Sequence, residues 1–216
     1  MRSILLSYGL LLSMTLFGQS GIPESLLEVK SRMDAVETAK GTVTLNLDID
    51  FINMPEKKAS ISYVKGEPLD YESDNFIFIP KKGLDFSWNN LFDYQFIAVD
   101  RGIKEVSNEQ VQTYSIIPDD KRADFSIMTL EVNLTNYQIV SAEISTKKEG
   151  TYQLKLDYDG SSPLPSNVEA SFELEKVRIP INFMGSDTDI DRKSMRSDGT
   201  KTGKVYLTLD WSEIKP

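Results

Sequence analysis

Two residue types are missing from this chain of 216 residues, cysteine and histidine. Without cysteine no disulfide can staple the fold, no thiol can act as a nucleophile, and no side chain can carry a lipid anchor. Without histidine the commonest general base and metal ligand is absent, and with it any Ser-His pair. Long apolar runs are scarce too. The one sizeable run, Ile4 to Phe17, is shorter than the roughly 20 residues a spanning helix needs, so no stable membrane span is expected.

That run sits behind Met1-Arg2-Ser3 and ahead of Gly18-Gln19-Ser20-Gly21. A basic start, a short apolar core and small residues at its end read as a secretory signal, residues 1–20, cleaved after Ser20 or, as the rival, after Gly18. A membrane-anchoring N-terminus is the alternative. An exported chain without disulfides suits a bacterial periplasm. Residues 21–216, about 195 in all, are enough to support a core without staples. Once Arg2 leaves with the signal, 23 basic residues face 33 acidic ones, a net charge of −10. This sign argues against nucleic acid and anionic headgroups as partners.

After the signal comes one amphipathic helix. Pro23 suits a first turn, and Ile22, Leu26, Val29, Met33 and Val36 recur at spacings of three and four. Almost everything else alternates with period two. From Thr42 to Ile52, Val43, Leu45, Leu47, Ile49 and Phe51 share one face, while Thr44, Asn46, Asp48 and Asp50 share the other. Further strands are expected over 59–63, 75–80, 95–100, 111–118, 126–134, 138–146, 150–158, 167–176 and 204–211, separated by Gly, Pro, Asn and Asp turns. A short second helix fits 84–94, with Trp88, Leu91 and Phe92 on one face, and 185–203 reads as a polar hairpin loop. With no repeat and no interdomain linker, 21–216 is expected to be one domain, mainly β, an antiparallel meander of about ten or eleven strands with flanking helices.

Chemistry-bearing motifs are few. Asp48 and Asp50 point to the wet face of their strand, away from any cavity, so no enzyme, cofactor or metal site is expected. The run Asp187-Thr188-Asp189-Ile190-Asp191 with Asp198 departs from a calcium loop at Arg192, where glycine is needed, and at Asp198, where glutamate is. It reads as a solvated acidic loop. Asn133-Leu134-Thr135 is set aside as a chance glycan pattern. The apolar faces are what stand out, and they would line either a cavity or a filled core.

Several phrases, taken in order, resemble the outer-membrane lipoprotein carrier family, the LolA/LolB-type half-barrel. They are Leu26-Leu27-Glu28-Val29-Lys30 leading into the strand from Gly41 to Phe51, Phe76-Ile77-Phe78-Ile79-Pro80-Lys81-Lys82-Gly83, Thr129-Leu130-Glu131-Val132-Asn133, Tyr137-Gln138-Ile139-Val140 and Gly150-Thr151-Tyr152-Gln153-Leu154. The resemblance implies a strongly curved antiparallel sheet, a half-barrel, whose concave face takes up acyl chains beneath a helical lid. It implies a soluble, monomeric periplasmic carrier or chaperone for lipoprotein acyl chains or another lipid-like ligand. Leu45, Leu47, Ile49, Phe51, Phe76, Phe78, Leu130 and Leu154 would line the cavity, with Trp88, Leu91 and Phe92 as lid. The chain departs from the family at Pro68-Leu69-Asp70-Tyr71-Glu72, which lacks the arginine that usually follows a proline there and helps latch the lid. The alternative is an envelope sensor or interaction module that uses the same fold to bind a protein.

Overall fold

The structure is a computed structural model that describes residues 21–67, 69–73, 89–92, 94–148, 150–173, 187–195 and 201–216. Helix α1 (Glu24–Asp34) leads into β1 (Thr38–Asp48), β2 (Ile52–Asn53), β3 (Lys57–Val64) and β4 (Asp70–Glu72). A one-turn helix α2 (Asn89–Phe92) precedes β5 (Phe96–Val106), β6 (Glu109–Pro118), β7 (Phe125–Asn133), β8 (Ile139–Thr146), β9 (Thr151–Asp157) and β10 (Asn167–Glu173). The chain ends with β11 (Asp189–Ile190), the single turn α3 (Arg192–Met195) and β12 (Thr202–Lys215).

Among the described residues, ten strands form one antiparallel sheet in the order β4-β3-β1-β12-β10-β9-β8-β7-β6-β5. The sheet is strongly curved but not closed. From β5 to β10 the strands follow one another as neighbours, a meander that hairpins can build locally. The last strand does not continue it. β12 inserts between β1 and β10, pairing Leu45 with Leu207 on one side and Val168 with Leu207 on the other. The C-terminal strand thereby joins the N-terminal strands to the meander.

Gly41 makes that junction possible. The register of β1 against β12 shifts between Lys40 and Gly41, and a Cβ on Gly41 would stand 2.2 Å from the Asp210 carbonyl oxygen. Only a residue without a side chain lets the two backbones come this close. At the β5–β6 turn, Ser107 (φ 51°) and Asn108 (φ 67°) both take the left-handed conformation, as a two-residue hairpin turn requires.

Alternation decides what is buried. Ala39, Val43 and Leu45 of β1 point inward, while Lys40, Thr42, Asn46 and Asp48 stay exposed. The strand expected to run to Ile52 instead ends at Asp48. An Ile49–Ile52 bridge turns the chain there, so Phe51 is buried by the turn and not by the strand period. In the polar stretch expected as a loop, β11 pairs with β2, and α3 starts on Asp191, whose carboxylate accepts from the Lys193 and Ser194 amides at 2.9 and 3.1 Å. Ile22, counted on the helical stripe, precedes α1 and is exposed.

Candidate ligand-binding site

Cross-strand register assembles the concave face row by row. Leu47 opposes Val205, Val205 opposes Ala170, and Ala170 opposes Leu154; the row continues through Ala142 and Leu130 to Tyr114. A parallel row runs Leu45, Leu207, Val168, Leu156. Leu45, Leu130 and Leu154 are 1%, 0% and 2% exposed. Three of the residues expected on one apolar face, Leu47, Leu130 and Leu154, therefore fall in a single row across the sheet.

Ile49 and Phe51 lie at one end of this face. Ile49 packs where a Cβ on Gly203 would touch it at 3.1 Å, beside the Phe172 ring. Phe51 is buried, with the Lys201 ammonium 5.8 Å from its ring centre. Leu91 is buried and Phe92 half-buried on α2, which packs against α1. The Lys30 ammonium lies 5.9 Å from the Phe92 ring centre, and Phe92 meets Phe96 edge-on at 6.1 Å. Phe76, Phe78 and Trp88 lie outside the described residues, as does Pro68 at the head of the latch segment.

Helix α1 bridges the concave face, its buried Leu26, Val29 and Met33 in one hydrophobic cluster with the sheet residues. Polar contacts fix each end. At the N-terminal end the Ser25 and Tyr114 hydroxyls share a buried 2.8 Å hydrogen bond. At the C-terminal end Arg32 Nη2 donates to the carbonyls of Ser161 (2.8 Å) and Ser162 (3.4 Å) in the β9–β10 loop. Lys65 Nζ donates to the Asp34 carbonyl at 2.6 Å and to Glu37 at 2.7 Å, and Glu37 helps hold this ammonium well into its charged form.

The β9–β10 loop, residues 158–166, turns its carbonyls toward the protein. Gln138 Nε2 donates to those of Gly160 (3.0 Å) and Ser162 (2.9 Å), and Trp211 Nε1 to that of Pro165 (2.9 Å). Between this loop and the C-terminal half of α1 lie two small pockets. The first is lined by Val29, Arg32, Met33, Tyr137, Gln138, Ile139, Tyr158 and the Pro163-Leu164-Pro165 segment, the second by Met33, Tyr63, Leu69, Leu164 and Trp211. Each has a volume of about 10 Å³, room for one water. Met33 and Leu164 line both. Tyr158 donates to the Ile139 carbonyl at 3.1 Å, and burial pushes its phenol far above the ordinary tyrosine range.

Sequence reasoning marked Met33 only as part of the helical stripe and read Pro163 and Pro165 only as turn residues. The usable signal was Leu164, an apolar residue between two prolines, in a loop that otherwise reads as polar.

The acidic residues serve other partners. Asp187 pairs with the buried ammonium of Lys57, and this hydrogen bond holds its carboxyl below the usual range. Asp191 caps α3 through Ser194 and is lowered by that contact. Asn133 is buried, its side chain donating to Glu109 and accepting from the Thr135 amide at 2.8 Å. Among the described residues no helix is long and apolar enough to cross a membrane.

No protein-family model matches the sequence, and no curated protein matches it. Solved structures do match the fold. A domain from Vibrio parahaemolyticus, assigned by name to outer membrane lipoprotein sorting, superposes with a TM-score of 0.51 at 11% identity, over 89% of this chain and 90% of that one. A LolA superfamily protein from Nitrosomonas europaea aligns over 90% of this chain and 94% of its own with a TM-score of 0.46, also at 11% identity. The curved open sheet, the helix laid across its concave face and the match to the lipoprotein-sorting domain together show that the chain has the LolA-type half-barrel fold, at a wide sequence distance.

Proposed function

We propose that the protein is an exported, monomeric carrier or chaperone that holds an apolar ligand, the acyl chains of a lipoprotein or a similar lipid, against the concave face of its sheet. The observation that carries this reading is the placement of α1. Its apolar stripe covers an apolar concave face, yet the helix ends are fixed by a handful of polar contacts, and the packing beneath its C-terminal half is incomplete. In this reading residues 1–20 direct export to the periplasm and residues 21–216 form the working domain. Leu45, Leu47, Ile49, Phe51, Leu130 and Leu154 meet the ligand once the helix lifts, with Phe76 and Phe78 completing the lining and Trp88, Leu91 and Phe92 the lid.

A filled concave face is compatible with carriage. Ligand sites for small molecules commonly need roughly 300–1,000 Å³, so cargo has to displace α1 or its side chains. Displacement exposes apolar surface, which the ligand then covers, and the two states can lie a few kcal/mol apart. In place of the arginine usual in the family beyond Pro68, contacts at both ends of α1 hold the closed state.

The test is native mass spectrometry of the protein purified from the envelope of its host, followed by lipid extraction. Co-purified acyl chains or a bound lipoprotein support the carrier. A bare mass, with no later uptake of a fluorescent fatty acid, refutes it.

A second reading, a module that docks an envelope protein, is favoured by one observation. Ile97 (59% exposed) opposes Ile117, which is also exposed, across β5 and β6 on the convex face, and exposed Ile127 lies on the next strand. Apolar side chains set side by side on an outer face are typical of interaction surfaces. Pull-down of one envelope protein that depends on Ile97 and Ile117, by protein free of lipid, would select this reading.

A further inference from the structure

Resting on the carrier reading, the geometry points to where a ligand enters and to what its head must be. We propose that the two pockets flanking Met33 are the closed halves of one site for a single-chain fatty acid, with Arg32 binding the carboxylate at the mouth. Met33 and Leu164 are the two residues that line both pockets, and in this proposal they form the wall between them. Methionine is unbranched, with three rotatable side-chain bonds, so it can swing aside without movement of the helix backbone. Leu164 lies on a loop held largely through its carbonyl oxygens, a set of contacts that can loosen stepwise.

The lining grades from polar to apolar. Arg32, Tyr137, Gln138 and Tyr158 contribute the polar side chains of the first pocket, and Val29, Met33, Ile139, Leu164 and the two prolines make up its apolar part. Met33, Leu69, Leu164 and the rings of Tyr63 and Trp211 make the second pocket almost wholly apolar. Such a gradient matches an amphiphile lying lengthwise, with its head at Arg32 and its tail passing Met33 into the second pocket.

Charge supplies the specificity. The chain is strongly acidic overall, yet no carboxylate among the described residues pairs with Arg32. The Arg32 contacts are two neutral carbonyls, both reached from Nη2. A guanidinium carries five N–H donors, so Nη1 and Nε have no hydrogen-bond partner among the described residues and can serve a ligand. One guanidinium at a narrow mouth fits one carboxylate on one chain, for which a paired hydrogen-bonding geometry is favoured.

The experiment titrates the protein with cis-parinaric acid and separately with its methyl ester, which has the same chain and no charge. Arg32→Gln should weaken the acid about tenfold, the worth of one charge-assisted hydrogen bond, and change the ester less than about twofold. Met33→Trp, which fills the wall between the pockets, should weaken both probes by at least about tenfold. Urea unfolding monitors folding, and Leu164→Trp supplies the same block from the opposite wall should Met33→Trp fail to fold. Undiminished binding of both probes by a folded blocking variant overturns the site while leaving the carrier reading in place. Equal weakening of acid and ester by Arg32→Gln overturns the role of Arg32. Binding of neither probe by the unaltered protein removes the carrier reading itself.

Discussion

The two ends of α1 are built differently. At the N-terminal end Leu26 is fully buried, and the Ser25–Tyr114 hydrogen bond is sealed inside the protein. At the C-terminal end Met33 stands between two pockets, and the holding contacts run from long basic side chains, Arg32 and Lys65, to backbone carbonyls at the surface. Buried apolar packing and a desolvated hydroxyl pair make a cooperative, stiff joint. Exposed bonds between basic side chains and carbonyls exchange readily with water and contribute little each. The comparison implies a hinge at the N-terminal end and an opening at the C-terminal end.

Substitutions can break or sharpen this contrast. Leu26→Ala should have the largest effect, about 4 kcal/mol lost in urea unfolding, because the closely packed hinge leaves a cavity that cannot collapse. Met33→Ala should cost less, about 2 kcal/mol, since its surroundings are already loosely packed. Equal losses would erase the distinction. Ser25→Ala, which strands the buried Tyr114 hydroxyl, should cost about 1.5 kcal/mol, and adding Tyr114→Phe should restore most of it in a double-mutant cycle.

Tyr158 reports on the opening end through pH. Its folded-state pKa is raised by burial above the ordinary value of 10.0, so the folded protein keeps a proton that the unfolded chain releases. This contribution is intact below that ordinary value and is lost as pH rises beyond it, by about 1 kcal/mol over the first pH unit. Tyr158→Phe should remove this alkaline loss when unfolding is compared across that range. The smallest effect should be that of Arg32→Gln on stability, below about 1 kcal/mol because the contact is exposed. A larger loss would make Arg32 a structural strap.

Much of the fold was legible because burial in a half-barrel follows a period of two. The alternation through Val43, Leu45 and Leu47, through Met128, Leu130 and Val132, and through Tyr152, Leu154 and Leu156 reappears as inward-facing positions in register. Asymmetric stretches were harder to read. β5 continues past Asp100 through a register shift, where Arg101-Gly102-Ile103-Lys104 has no apolar period, and its turn uses Ser107-Asn108 in place of the stronger Asn-Gly signal. The position of β12 between β1 and β10 is a non-local pairing that no local pattern encodes. The pockets were invisible for a related reason: they arise from incomplete fit between a helix and a loop more than a hundred residues apart, and alternation assigns faces without measuring volume.

The most direct test of the account is hydrogen exchange along α1, with and without cis-parinaric acid. Amides from Ser31 to Val36 should exchange faster than those of the preceding turns in the free protein and become protected when the acid binds, while the Leu27 to Lys30 amides change little. Uniform exchange along α1 that the ligand leaves unchanged, or protection confined to α2 and β5, would contradict it.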